Sequence, residues 1–139
     1  MLTNLLAAVV YLGVGIGLLL LAAAVVDLLT PGRLLSHVVD GKSYSSALVL
    51  AAALLGQGLV IFTAIWTNAE TGFGEALLWT VSFGLLGVAL TAVAFALVDL
   101  LTPGRLGTVL SRPGPVQPVA MVTAAAHVAV ALIVVASIA

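Results

Sequence analysis

Four long apolar runs constrain this chain more than anything else in it: Leu5–Leu29, Tyr44–Thr67, Ala76–Leu101 and Val116–Ala139. A helix that crosses a bilayer needs about 20 mainly apolar residues, and all four runs qualify. Only Asp27 and Asp99 bring an ionised side chain into them. In hydrocarbon every backbone N–H and C=O must be satisfied within the segment, so such runs fold as helices. A water-soluble alternative fails on supply. Charged residues make up 6% of the chain, against roughly 25% in a soluble domain, too few to coat a polar exterior. Mean hydropathy is +1.36. The fold expected is an all-α membrane protein with four transmembrane helices. The first run follows Met1–Asn4, which lacks a basic n-region, and is longer than a usual signal h-region; it reads as a retained helix.

The nine residues Val26–Leu34 recur unchanged at Val98–Leu106, an offset of 72 residues. Self-similarity at a fixed period marks a repeated structural unit. The expected organisation is therefore two copies of one helical hairpin, residues 1–72 and 73–139. Each copy carries two spans, so both share one orientation, as parallel repeats do about an axis along the membrane normal. Each nonapeptide closes a span with Thr-Pro-Gly-Arg. Proline biases the preceding Thr30 and Thr102 away from helix, and Pro-Gly fits the centre of a type II turn.

Orientation follows from the four basic residues. Arg33 and Lys42 fall in the first loop, 30–43, and Arg105 and Arg112 in the third, 102–115, while the middle loop has none. The positive-inside rule places both basic loops in the cytoplasm and both termini outside, in a multi-pass protein of the cell (inner) membrane. Trp66 and Trp79 flank the middle loop and Tyr44 the opposite interface, where aromatic belts form.

Lipid tails are as apolar as leucine, so close packing through small residues must help pair the spans. Gly13 and Gly17, Ala52 and Gly56, Ala92 and Ala96, Ala120 and Ala124, and Ala125 and Ala129 all have the four-residue spacing that brings two small residues onto one helix face. They suit packing within one bundle or between copies.

Polar residues inside these runs are the candidate sites. Asp27 and Asp99 lie in the last turn of their helices, where the helix dipole disfavours an acid by about 0.3–1 kcal/mol. Each therefore calls for a partner, and Arg33 and Arg105 are the candidates, within a copy or across the repeat. Such a polar quartet acts either as a structural clamp or as an acidic ring for a cation or proton path. Gln57 and His127 lie near mid-membrane, where each suits an interhelical hydrogen bond, and His127 also suits a proton relay.

Catalysis finds no footing. No His, Asp or Glu cluster has metal-ligand spacing, and absent cysteines exclude thiolate chemistry and disulfides. Ser43, Ser45 and Ser46 lack a positioned base. No catalytic residue, cofactor or metal is expected, and a net charge of −1 excludes a basic nucleic-acid surface.

Two hairpins, each with a helix ending in Asp-Leu-Leu-Thr-Pro-Gly-Arg, resemble the domain-of-unknown-function 350 proteins, also called uncharacterised protein family 0719. These are small bacterial inner-membrane proteins with tandem two-helix repeats. The resemblance implies location, architecture and an association with envelope-stress or polyamine-related gene neighbourhoods; it carries no catalytic residues. The function expected is that of a non-enzymatic membrane subunit acting by assembly, as a homo-oligomer or with a cytoplasmic protein partner, in contact with the lipid bilayer. The alternative is a small oligomeric cation or proton channel or transporter using Asp27 and Asp99.

Overall fold

The computed structural model describes residues 1–30 and 34–139, the Leu34 side chain excepted. Among these the chain is helical, with α1 (Leu2–Leu29), α2 (Leu34–Val39), α3 (Tyr44–Thr67), α4 (Phe73–Leu101), α5 (Leu106–Leu110) and α6 (Pro118–Ile138). The four long helices are each long and apolar enough to cross a membrane. The α3 bounds coincide with the second apolar run. Helices α1 and α4 each begin three residues earlier than the apolar pattern suggests, and α6 starts two residues later, at Pro118. A proline has no N–H to lose at the first helical turn, so it starts a helix at little cost.

The chain traverses the bundle four times, which puts both termini and the 68–72 turn at one end. The short helices α2 and α5 lie at the other. They were not anticipated within the two 14-residue loops. Leu106 and Leu110 of α5 are wholly buried and join Val26, Val49, Ala53, Phe95, Val98 and Ala120 in the larger apolar cluster. Helix α5 is thus a plug for its end of the bundle. Trp66 and Trp79 are exposed near the opposite end and stack on Phe62 and Phe83, with ring centroids 6.0 and 5.4 Å apart.

Helices α3 and α6 share the most extensive contact; α4 packs on both, and α1 lies against α3 and α4. Three glycines permit these crossings. A Cβ on Gly56 would sit 2.9 Å from the Ala131 Cβ, and one on Gly87 would sit 2.7 Å from Gln57 Oε1. Gly84 receives the Leu18 side chain of α1, which leaves no room for a Cβ. Gly13 and Gly17, by contrast, face open space and close no contact within the chain. Ala52, Ala120 and Ala124 are buried, whereas Ala96, Ala125 and Ala129 are exposed.

The two basic loops are tied together by buried serines. Ser43 and Ser46 both donate to the Leu110 carbonyl oxygen, at 2.6 and 2.7 Å. The Gln117 N–H donates to Ser45 Oγ at 2.8 Å, and the Gly114 N–H to the Lys42 carbonyl at 3.4 Å. In these last two contacts the partners are counterparts at the 72-residue offset. Lys42 and Gly114 also share positive φ, 50° and 109°.

Candidate functional site

Within the described residues, the two nonapeptides build the same helix end twice. Thr30 and Thr102 cap α1 and α4 with φ/ψ of −98°/127° and −89°/126°, the extended backbone that a following proline favours. Their hydroxyls donate back to Val26 and Val98 carbonyls at 3.0 and 2.7 Å. Gly104 has φ of 94°, as a type II turn requires. Its counterpart Gly32 lies outside the described residues.

The half-buried Asp27 and Asp99 accept backbone hydrogen bonds from the helix that follows. The Leu106 N–H donates to Asp99 Oδ1 at 2.7 Å, and the Leu35 N–H to Asp27 Oδ1 at 3.3 Å. An acid badly placed at the C-terminus of one helix is therefore well placed at the N-terminus of the next. The first amides of α2 and α5 have no intrahelical acceptor, and the dipole there favours negative charge. Each aspartate thus joins a membrane span to a short helix. Arg105 is exposed and N-caps α5. Arg33, and with it every pairing that involves it, lies outside the described residues. Lys42 and Arg112 are exposed at the same end of the bundle.

Gln57 and His127 come together at mid-bundle. They are 2% and 3% exposed, with Gln57 on α3 and His127 on α6. Both line a cavity of about 10 Å³ together with Gly87 and Thr91 of α4. Gln57 Nε2 donates to the Gly84 carbonyl at 2.9 Å, joining α3 to α4. His127 Nδ1 lies 2.8 Å from the Thr123 carbonyl, so Nδ1 carries the proton and Nε2 is an acceptor. Gln57 Oε1 and His127 Nε2 have no donor among the described residues. Two acceptors at one cavity match a single water molecule, which donates two protons and needs about this volume. The Gln57 bond ties α3 to α4 beside His127 of α6, and the dimensions of the cavity suit hydration rather than a bulky ligand.

The serines at the loop junction escaped sequence reasoning, which weighed them only as nucleophiles. Their available signal was position. Ser43 precedes the first turn of α3 and accepts the Ser46 N–H as an N-cap. Among the described residues no group of three or more His, Asp or Glu side chains is arranged to hold a metal ion.

The chain resembles known proteins over most of its length. Residues 1–138 match the family described as Domain of Unknown Function (DUF350). The chain is 35% identical over 107 residues to a UPF0719 transmembrane protein of Mycolicibacterium paratuberculosis (strain ATCC BAA-968 / K-10), covering 77% of this chain and 70% of that relative. No solved structure matches it. With a family match across nearly every residue, and four helices long enough to span a bilayer, the chain belongs to the DUF350 (UPF0719) family of transmembrane proteins.

Proposed function

We propose that this protein is a non-enzymatic, multi-pass subunit of the cell membrane that works by assembly, presenting the α2/α5 end to a cytoplasmic protein partner. The observation that carries this reading is the construction of that end. Two short helices are each pinned by an aspartate of the preceding span, and the loops that hold them are stitched by Ser43 and Ser46 to Leu110. Lys42, Arg105 and Arg112 stand exposed on this ordered rim. The basic loops lie in the cytoplasm by the positive-inside rule, with both termini outside. There they attract acidic protein surfaces, and anionic headgroups at about 1 kcal/mol per basic residue. The envelope-stress association implied by the family resemblance fits such an assembly.

A cation or proton path through Asp27 and Asp99 draws less support. Both carboxylates are engaged by backbone N–H groups, and the mid-bundle cavity holds about 10 Å³. The test is reversal of the rim, Arg105→Glu with Arg112→Glu, in cells carrying a tagged protein. The variant should reach the membrane and lose its co-purifying cytoplasmic protein. Undiminished recovery of that protein refutes the rim as the contact surface.

A further inference from the structure

Helix α4 sits in a groove between α3 and α6. Its Gly87 and Thr91 meet a wall made by Ala53, Gln57 and Val60 of α3 and by His127 and Val130 of α6. At the 72-residue offset these five wall residues correspond to Ala125, Ala129, Leu132, Leu55 and Gly58. The first four of those counterparts line a second, open groove of about 540 Å³ between α3 and α6, and Gly58 lines its continuation toward α1. The molecule therefore has two equivalent grooves, one filled by α4 and one unfilled.

The helix equivalent to α4 is α1; the counterparts of Gly87 and Thr91, Gly15 and Leu19, are half-buried, with Gly15 against Ile61 of its own α3, while the flank beside them is exposed. Thr80, Gly84 and Val88, buried on α4, correspond to Ala8, Leu12 and Ile16, which are all exposed on α1. The chain's own α1 is held elsewhere. Its Leu18 occupies the space over Gly84, and Tyr11 packs edge-on to Phe73 with ring centroids 5.7 Å apart.

We propose that the open groove receives α1 of a second copy of this chain. The α1 face of the first copy enters the groove of the second in return. Counterpart residues that touch, Ser45 with Gln117 and Lys42 with Gly114, place a local two-fold between the two hairpins, and that relation makes the grooves equivalent. The open groove and the free α1 face lie side by side, since Ile16 and Leu55 line one continuous cleft with Val128. Two copies facing each other exchange both surfaces across a two-fold axis, which closes a dimer and leaves no groove to propagate. The cross-copy counterpart of the contact between the Gly84 carbonyl and Gln57 is Leu12–Ala129, and that of Gly87–Gln57 is Gly15–Ala129. Small residues at Gly15, Gly58, Ala125 and Ala129 permit the close approach on which helix pairs in lipid depend.

This inference rests on reading the chain as an assembly subunit, but it uses a surface separate from the basic rim. The rim-reversal variant Arg105→Glu with Arg112→Glu should dimerise normally, so either idea can fail alone. The chain has no cysteine, which allows a direct test. Differently tagged Leu12→Cys and Ala129→Cys proteins are co-reconstituted in phosphatidylcholine–phosphatidylglycerol vesicles and oxidised. A disulfide-linked heterodimer should form several-fold faster than with the exposed control pair Leu100→Cys and Ala129→Cys. In a second arm, Ala129→Trp, an exposed position, should convert dimers to monomers by single-molecule subunit counting while helix content stays unchanged. Equal cross-linking of the control pair overturns the proposal. So does a monomeric wild type, including one carrying a lipid chain in the groove, or a Leu12→Cys/Ala129→Cys double variant that cross-links only within its own chain.

Discussion

Replacing Gly56 by alanine tests the seam between α3 and α6 with one methyl group. The added Cβ would lie 2.9 Å from the Ala131 Cβ and 3.4 Å from the His127 carbonyl oxygen. Carbon atoms pack best at about 3.5–4.0 Å, so the two helices must part by most of an ångström. Overpacking of this size costs about 1–3 kcal/mol. Against it stands the gain of about 0.5–1 kcal/mol from replacing glycine in a helix interior. The expected net effect is a loss of about 1 kcal/mol. Parting the seam also stretches the Ser45–Gln117 contact and widens the Gln57–His127 cavity. Gly17→Ala is the matched control. It adds the same methyl where nothing lies within 4 Å, and should raise stability by roughly the propensity term. The double variant Gly56→Ala with Ala131→Gly removes the clash and should recover part of the loss. The assay is reversible unfolding in mixed micelles, read by circular dichroism. A Gly56→Ala protein as stable as Gly17→Ala would refute the contact on which the packing argument rests.

Two further sets of substitutions probe the loop end. Asp99→Ala should cost about 1 kcal/mol by removing the acceptor for the first turn of α5, with Asp99→Asn costing less and Arg105→Gln staying within about 0.5 kcal/mol. Amide exchange at Leu106 should quicken in Asp99→Ala; an equal loss in Arg105→Gln would instead assign the aspartate to an ion pair. Ser43 and Ser46 both donate to the Leu110 carbonyl, so either alanine variant alone leaves one donor. The double variant orphans a buried carbonyl at about 1–3 kcal/mol and should exceed the sum of the singles in the same unfolding assay; simple additivity would refute the shared acceptor.

The spans were legible because hydrocarbon demands length, and length is plain in a sequence. Which face of each span meets a neighbour was not. A helix in lipid is apolar all round, so Gly13 and Gly17 look as suited to packing as Gly56, yet of these three Gly56 alone closes a crossing. Helices α2 and α5 have six and five residues, too few for periodicity to separate helix from loop. The one signal in α5 was the pairing of Leu106 with Leu110, spaced for a single buried face. The electrostatic misfit of Asp27 and Asp99 was readable, and the arginines of the same turns were its candidate partners. A backbone N–H as that partner was not readable, since it depends on where the next helix begins. Gln57 and His127 could be placed at similar depth, but their meeting at one cavity depends on how α3 and α6 turn toward each other.

The central claim is that the repeated aspartates hold the α2/α5 end in shape and that the protein acts through its surfaces. Cation and proton flux into proteoliposomes, compared between wild type and the Asp27→Asn, Asp99→Asn double variant, tests it most directly. Wild-type flux should be no greater than that of protein-free vesicles, with no change in the variant. Wild-type flux that the double variant abolishes, with its fold intact, would contradict it.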